Sequence, residues 1–271
     1  MRNMQLRIGL VAVTAGLLLA LAAQAAKPTV VILATGGTIA GSAQSQTQAG
    51  YDSGQVGVDV LLGAVPQIAE LAEVSGEQVA NVGSQDMSDE IWLQLAARVN
   101  ELQDDPDADG IVITHGTDTI EETGYFLHLT VKGRKPVVMT AAMRPSTALS
   151  ADGPLNLYNA VAVAADPAAA GKGVLIVAND DIHGARGITK TSTTDVETFV
   201  SPERGLIGVS LYGKNRYFRG PYRAHTSDSE FSLDGVTELP RVDVIYITAD
   251  VSPDLIDAAV AAGAQGLVTA G

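Results

Sequence analysis

Short apolar runs alternate with segments of helical periodicity along most of this chain, and this alternation constrains the fold more than any other feature. The first run, at 29–35, reads TVVILAT. A continuous β-branched and apolar run of this kind is typical of a strand that is buried on both faces. We predict further strands at 78–82, 110–114, 136–141, 173–178, 242–248 and 266–270.

Helices are predicted between these strands. Ser88 is a suitable N-cap for a helix that ends near Leu102, and the segment TIEE at 119–122 has the pattern of a capping box. Two more helices are predicted at 155–165 and 253–262. Repeated strand–helix units predict an α/β fold, with a mostly parallel sheet and flanking helices.

The pattern also suggests how the chain is divided. We predict a large N-terminal domain over 26–240, in which the alternation becomes less regular from about residue 180. The polar segment at 41–54 is rich in Gly, Ser, Gln and Thr, and we expect it to be a mobile loop. Residues 241–271 hold one strand, one helix and one strand, so we expect them to start a smaller C-terminal α/β domain.

The N-terminus has the pattern of an export signal. Arg2 and Arg7 precede an uncharged apolar run at 8–22, and small residues follow at 23–25. We therefore predict a signal peptide over 1–25 and a periplasmic or secreted protein.

Composition excludes several classes of site and partner. The chain has no cysteine, which excludes disulfides, thiolate nucleophiles and Cys-bound metal centres. Its four histidines are scattered and show no metal-ligand spacing, so no metal is expected. The formal net charge of −14 argues against nucleic acid and, after signal cleavage, against membranes as partners.

Polar residues follow four of the predicted strands at their carboxyl ends, where open parallel sheets bind their ligands. The first strand leads into TGGT at 35–38, and the second leads into GSQD at 83–86. The third leads into THGTDT at 114–119, and the fourth leads into AMRP at 142–145. Hydroxyl, amide and carboxylate groups are therefore expected to converge on one edge of the sheet.

The glycine-rich turn after the first strand does not fit a nucleotide site. Thr38 stands where the dinucleotide fingerprint requires its second glycine, and no lysine follows Gly41 as a P-loop would require. The Gly-x-Ser-x-Gly motif of many serine hydrolases is absent as well. The pattern favours a threonine hydroxyl as nucleophile, with Lys, Tyr or a carboxylate as its base.

Two long segments carry a resemblance to a known family. ILATGGTIAG at 32–41 and GIVITHGTDTI at 110–120 resemble the two signatures of bacterial L-asparaginases, in the same order. With the predicted signal, the chain resembles the periplasmic (type II) members. The resemblance implies hydrolysis of L-asparagine to L-aspartate and ammonia, without a cofactor. Four shorter segments are also similar: GSQDM at 83–87, AMRPST at 142–147, SADGPLNLYNAV at 150–161 and TKTSTTDV at 189–196.

The resemblance implies a catalytic role for five residues. Thr38 matches the nucleophile that becomes acylated, and Tyr51 matches the partner that takes its proton. Thr117, Asp118 and Lys190 match a second group that assists activation or deacylation. Which of the two threonines acts as the primary nucleophile is left open.

The resemblance also implies the substrate-binding groups. Ser84, Gln85 and Asp118 match the residues that hold the α-carboxylate and the α-ammonium of the substrate. The backbone at Thr117 and Ala142 matches the region that holds the oxyanion. A carboxylate such as Asp118 suits an ammonium group, because the hydrogen bond between them is charge-assisted.

Substrate choice, activity and assembly are less constrained. A glutaminase-asparaginase that accepts both amides is the nearest alternative, although Gln85 favours asparagine because broad-specificity members often carry Glu there. A catalytically silent amino-acid-binding fragment is an alternative of another class. The family implies a homotetramer and a chain that continues beyond Gly271. We therefore expect this sequence to be C-terminally truncated, and to assemble and react poorly as it stands.

Overall fold

The computed structural model describes residues 26–47 and 50–271 of the 271-residue chain. The signal peptide predicted at 1–25 lies outside these residues. No helix in the described ranges has both the length and the apolar character needed to cross a bilayer. An eight-stranded sheet with helices on both faces forms the centre of the described chain.

The strands are short, and most of them lie within ten residues of a helix or a tight turn. In chain order they are β1 (Thr29–Gly36), β2 (Glu73–Val82), β3 (Gly110–Thr114), β4 (Val137–Thr140), β5 (Val174–Ala178), β6 (Asp181–Gly184), β7 (Thr189–Lys190), β8 (Phe199–Val200), β9 (Gly208–Leu211), β10 (Lys214–Tyr217), β11 (Val242–Tyr246) and β12 (Gly266–Ala270). The helices are α1 (Val58–Ala64), α2 (Asp89–Asp104), α3 (Ile120–Thr130), α4 (Gly153–Ala164) and α5 (Asp254–Ala261).

The large sheet has the order β10-β9-β6-β5-β4-β3-β1-β2. Five neighbouring strands, β2, β1, β3, β4 and β5, pair in parallel. The strands β6, β9 and β10 extend the sheet with antiparallel pairing. β11 and β12 form a separate parallel pair, and β7 pairs with β8. The predicted α/β fold with a mostly parallel sheet is confirmed. The domain boundary at residue 240 stays a prediction.

Alternate residues of β1 explain why helices cover both faces of the sheet. Val30 and Ile32 lie in one apolar cluster, which also holds residues of α1 and α4. Val31 and Leu33 lie in the opposite cluster, with residues of α2 and α3. Since both faces are apolar, both must be covered, and each large aliphatic side chain buried in this way contributes roughly 1.5–3 kcal/mol.

The sequence-based boundaries are wrong where a strand is not fully buried. β2 begins at Glu73 and not at residue 78, because this edge strand is half exposed and carries polar residues in its first half. Its sequence therefore lacks the continuous apolar run that predicted the central strands. The antiparallel strands between residues 180 and 220 were not predicted either, because each spans only two to four residues, and α1 was also missed.

The predicted capping box at the start of α3 is also wrong. Thr119 precedes the helix but makes no side-chain bond to the first turn. Its hydroxyl instead donates to the carbonyl of Ser84, at 2.8 Å, in the turn that follows β2. A contact between distant parts of the chain has replaced the local one, which no local pattern reveals.

The order of the parallel strands reverses between β1 and β3, where an open α/β sheet is expected to form a crevice for a ligand. From β1 the chain continues to β2 on one side of this pair, whereas from β3 it continues to β4 on the other side. The connections after β1 and β3 therefore lead away in opposite directions. Ligands bind at this kind of reversal in open α/β sheets. The loops touch at glycines: a Cβ on Gly37 would lie 2.4 Å from the nitrogen of Gly116, and Gly37 has φ +78°. Both geometric facts require glycine at this position.

Three buried histidines make the stability of this fold sensitive to acid. Burial lowers the pKa of His115, His128 and His183 to about 4. In the unfolded chain their pKa is near 6.5. Between these values the unfolded state binds more protons, so the free energy of unfolding falls as pH drops from about 6.5 to 4. The slope reaches about 1.4 kcal/mol per pH unit and per histidine.

Urea unfolding at pH 5 and pH 7 measures this loss. The variant His183→Gln removes one titrating ring, and its amide retains the ability to bond Ser201, which lies 2.9 Å from the histidine Nδ1. We expect the difference in unfolding free energy between the two pH values to shrink by about 1–2 kcal/mol in this variant. An unchanged difference would contradict the assigned titration of His183.

Candidate active site

Thr38 and Tyr51 form a hydroxyl pair at the carboxyl end of β1. Thr38 opens a single 3-10 turn after Gly37, and it is 6% exposed. Its Oγ1 lies 2.6 Å from the Oη of Tyr51. The loop that carries Tyr51 is held to the turn by two backbone hydrogen bonds between Ser42 and Asp52, each 3.1 Å. The structure therefore brings these two predicted residues together.

A second group lies beyond β3 and is built around a lysine. The Nζ of Lys190 donates to the Oγ1 of Thr117 at 2.7 Å and to the Oδ1 of Asp118 at 2.6 Å. The side chain of Lys190 is 13% exposed, whereas that of Asp118 is 59% exposed. The carboxylate therefore has a face open to a ligand, while the ammonium group is turned towards the threonine hydroxyl. All three predicted members of this group are in contact.

Glu121 fixes the lysine in place, and sequence analysis missed this role. Its Oε2 accepts the backbone N–H of Lys190 at 2.8 Å, which ties the short strand β7 to the start of α3. The residue stands in the segment that was interpreted as a capping box. Two adjacent acidic residues in a first helical turn are explained equally well by the helix dipole, so the sequence contains no signal for the contact.

The loops that carry the two groups touch. A Cβ on Gly116 would lie 3.2 Å from the Cα of Gly37 and 2.6 Å from the Oγ of Ser84. Thr38 and Thr117 are the next residues after these two glycines. The turn after β2 is packed against the same point through Ser84. Three of the four strand ends that the sequence predicted to converge therefore meet at one place.

Ser84 is joined to this cluster more closely than Gln85. Ser84 is buried, and its Oγ accepts the backbone N–H of Asp118 at 3.2 Å. Among the described residues no acceptor is bonded to the Ser84 hydroxyl, so its proton is free for a ligand oxygen. Gln85 is exposed, and its amide nitrogen donates to the carboxylate of Asp86 at 3.1 Å. The structure places Gln85 in the same turn but does not join it to Asp118.

Ala142 lies in a loop that is fixed by a carboxylate. Ala142 is buried after β4, and the next two backbone N–H groups, of Met143 and Arg144, each donate to Asp152 at 2.9 Å. The guanidinium of Arg144 donates to the carbonyl and hydroxyl oxygens of Ser150. Arg144 therefore stabilises the loop. No hydrogen bond in the described ranges joins Ala142 to Thr117.

The arrangement places two hydroxyls beside a phenol and a lysine, and the described residues contain no cluster suited to a metal. No group of three His, Asp or Glu residues within 26–47 and 50–271 is placed to hold a metal ion. A hydroxyl paired with a phenol on one side and a hydroxyl paired with a lysine on the other are suited to acyl transfer through an oxygen nucleophile.

Comparison with known proteins identifies the family. The family model described as "Asparaginase, N-terminal" matches residues 29–222. The chain is 55% identical over 246 residues to L-asparaginase 2 of Escherichia coli (strain K12), covering 91% of this chain and 70% of the relative. It is 48% identical over 243 residues to a glutaminase-asparaginase of Pseudomonas fluorescens biotype A, covering 89% and 67% respectively.

A solved structure gives the same answer for the fold. It is titled as a probable cytoplasmic L-asparaginase from Campylobacter jejuni and superposes with a TM-score of 0.88 at 47% identity. The superposition covers 90% of this chain and 75% of the other. The match of sequence, fold and strand-end motifs shows that this chain belongs to the asparaginase family.

Proposed function

We propose that this chain hydrolyses the side-chain amide of L-asparagine through an ester on Thr38. The observation that carries the proposal is the 2.6 Å contact between Thr38 Oγ1 and Tyr51 Oη, across the crevice from the pair Lys190 and Thr117. A buried hydroxyl is a weak nucleophile until a neighbouring group accepts its proton, and the phenol is in hydrogen-bond reach.

The proposed reaction has two steps, formation of the ester and its hydrolysis. Thr38 Oγ1 attacks the amide carbon while its proton passes to Tyr51 Oη, which passes a proton on towards the leaving nitrogen. The C–N bond breaks, ammonia leaves and the aspartyl ester of Thr38 remains. Water then attacks the ester carbon, its proton returns to Thr38 Oγ1, and L-aspartate is released. Lys190 and Thr117 assist proton transfer on the opposite side of the carbonyl.

The charged ends of the amino acid are assigned to the groups beside the crevice. The exposed face of the Asp118 carboxylate accepts the α-ammonium. The free hydroxyl proton of Ser84 and the amide of Gln85 donate to the α-carboxylate. These assignments agree with the burial and hydrogen bonding of each residue, and Gln85 must turn from Asp86 to make its contact.

Glutamine is the second candidate substrate, and the similarity to a glutaminase-asparaginase favours testing it. Asparagine and glutamine differ by one methylene, which is worth only about 10- to 200-fold in discrimination. We therefore expect measurable activity on both amides, with a higher kcat/KM for asparagine. Equal values would favour the broad-specificity alternative.

The variant Thr38→Ala tests the proposed nucleophile. We expect ammonia release from asparagine to fall by at least about 10³-fold, because no ester can form, while aspartate still binds within about threefold of the parent affinity. Thr38→Ser is the matched control, since it keeps a hydroxyl at the same place. Turnover by Thr38→Ala within tenfold of the parent would exclude Thr38. Aspartate binding by a parent that releases no ammonia would instead favour the silent binding protein.

The variant Lys190→Met tests whether the lysine acts in catalysis or in binding. Loss of a group that moves protons costs about 10²–10⁴ in turnover. We expect kcat to fall in that range while aspartate affinity changes little. Lys172→Met is a suitable control, because the Lys172 ammonium lies over the ring of Tyr217, at 5.1 Å from its centre, and not at the crevice. Normal turnover with weak aspartate binding would make Lys190 an electrostatic anchor.

Export and assembly are proposed on the sequence pattern and on the resemblance. We expect cleavage after Ala25, because small residues at 23–25 follow an apolar run. Expression of the full chain in a bacterium, cell fractionation and N-terminal sequencing test this directly. Uncleaved protein in the cytoplasm would contradict export. The homotetramer stays a prediction, which the mass of the purified protein in solution checks.

A further inference from the structure

A buried chain of hydrogen bonds runs from Trp92 to the loop of Thr117. The indole Nε1 of Trp92 donates to the Oγ1 of Thr123 at 2.7 Å. That oxygen lies 3.0 Å from the Nε2 of His115, and the Nδ1 of His115 lies 2.8 Å from the carbonyl oxygen of Gly116. Thr123 and His115 are completely buried. Trp92 and His115 thus belong to one network, although 23 positions separate them in the sequence.

The chemical groups at the two ends of this network determine which partner donates in each hydrogen bond. An indole N–H can only donate, and a carbonyl oxygen can only accept. Burial lowers the pKa of His115 to about 4, so the ring is neutral near pH 7 and carries one N–H. That proton must lie on Nδ1, because the carbonyl of Gly116 has none to give. Nε2 is then an acceptor, and the Thr123 hydroxyl donates to it.

Thr123 is kept from the bond that a helical threonine usually makes. Threonine hydroxyls in helices often donate to the carbonyl four residues earlier. Thr130 in the same helix does so, with its Oγ1 2.8 Å from the carbonyl of Phe126. In the described part of the chain, Thr123 has no such bond and contacts Trp92 and His115 instead. The indole occupies a lone pair of the hydroxyl and leaves its proton for the histidine.

The far end of the network sets the orientation of one peptide group at the site. The peptide between Gly116 and Thr117 is planar and trans, so its C=O and its N–H point in opposite directions. A carbonyl held by His115 therefore directs the N–H of Thr117 away from the histidine. No acceptor in the described chain is bonded to this N–H. It is a fixed, unused donor next to the crevice.

We propose that Trp92, Thr123 and His115 are positioning residues that aim the Thr117 N–H at the oxygen of the tetrahedral intermediate. The inference rests on the proposed function for its catalytic meaning, but the hydrogen-bond directions stand without it. A preorganised donor acts where charge develops in the transition state, so its loss lowers kcat more than it raises KM.

Four variants separate positioning from simple structural support. Thr123→Val removes the link, Thr123→Ser restores a hydroxyl, and Trp92→Phe keeps a ring to stack on Phe126 while losing the donor. Thr130→Val removes a buried hydroxyl from the same helix without touching the network. Losing an oxyanion donor outright costs about 10²–10³ in kcat, so misdirecting one should cost about 10-fold. We expect this loss in Thr123→Val and Trp92→Phe, with KM within threefold, and near-parent kcat in Thr123→Ser and Thr130→Val.

Nuclear magnetic resonance gives a readout that needs no catalysis. In protein with ¹⁵N-labelled histidine, His115 should show the Nδ1–H tautomer at pH 7 in the parent and lose this preference in Thr123→Val. Trp92 is the one tryptophan of the chain, so the indole N–H gives a single resonance, which should shift in Thr123→Val and not in Thr130→Val. An Nε2–H tautomer in the parent would overturn the proposal.

Steady-state kinetics provide a second test that can contradict the proposal. A folded Thr123→Val variant with kcat within twofold of the parent would show that the network does not position the donor. Equal losses in Thr123→Val and Thr130→Val would assign the effect to general packing of α3. A parent without amidase activity would contradict the proposed function, and the tautomer measurement would still decide the hydrogen-bond directions.

Discussion

The close approach of Gly37 and Gly116 is the constraint on which the site depends. A methyl group on Gly37 would lie 2.4–2.6 Å from backbone atoms of His115 and Gly116, and one on Gly116 would lie 2.6 Å from the Oγ of Ser84 and 3.2 Å from the Cα of Gly37. Because the two loops touch there, Thr38 and Thr117, which follow these glycines, are brought close to each other. Ser84 packs against the same point, so one steric requirement aligns three strand ends and the residues they carry.

The sequence predicted the central strands and the polar strand ends well, since both depend on local pattern. β3 and β12 have the predicted bounds, and Thr38, Thr117 and Ser84 lie where those ends meet. The contacts that hold Lys190 were not predictable, because β7 has two residues and its anchor on Glu121 spans 69 positions. The edge strands were not predicted correctly for a related reason: they are half exposed, and their extent is determined by their neighbours in the sheet.

Polar groups near the crevice differ widely in their access to water. Asp118 and Gln85 are exposed, whereas His115 and Thr123 have no access to water. A buried polar atom without a hydrogen-bond partner costs about 1–3 kcal/mol, so these buried side chains must bond to one another. They do so in the network described above, in which each donor and acceptor is determined. The exposed groups can bond to water instead and remain available for an amino acid. The exposure of Asp118 and Gln85 and the complete burial of His115 and Thr123 are therefore in place before any substrate is present.

The difference in exposure between Thr38 and Tyr51 has a consequence for proton traffic with the surroundings. The threonine is 6% exposed and the phenol that it contacts is 38% exposed. Because protons pass between oxygen atoms, the proton that Thr38 gives up in the proposed reaction moves to the Tyr51 Oη, on a side chain that is itself partly in contact with water. A change at the exposed part of the Tyr51 ring would therefore reach the buried Thr38 hydroxyl through one 2.6 Å contact.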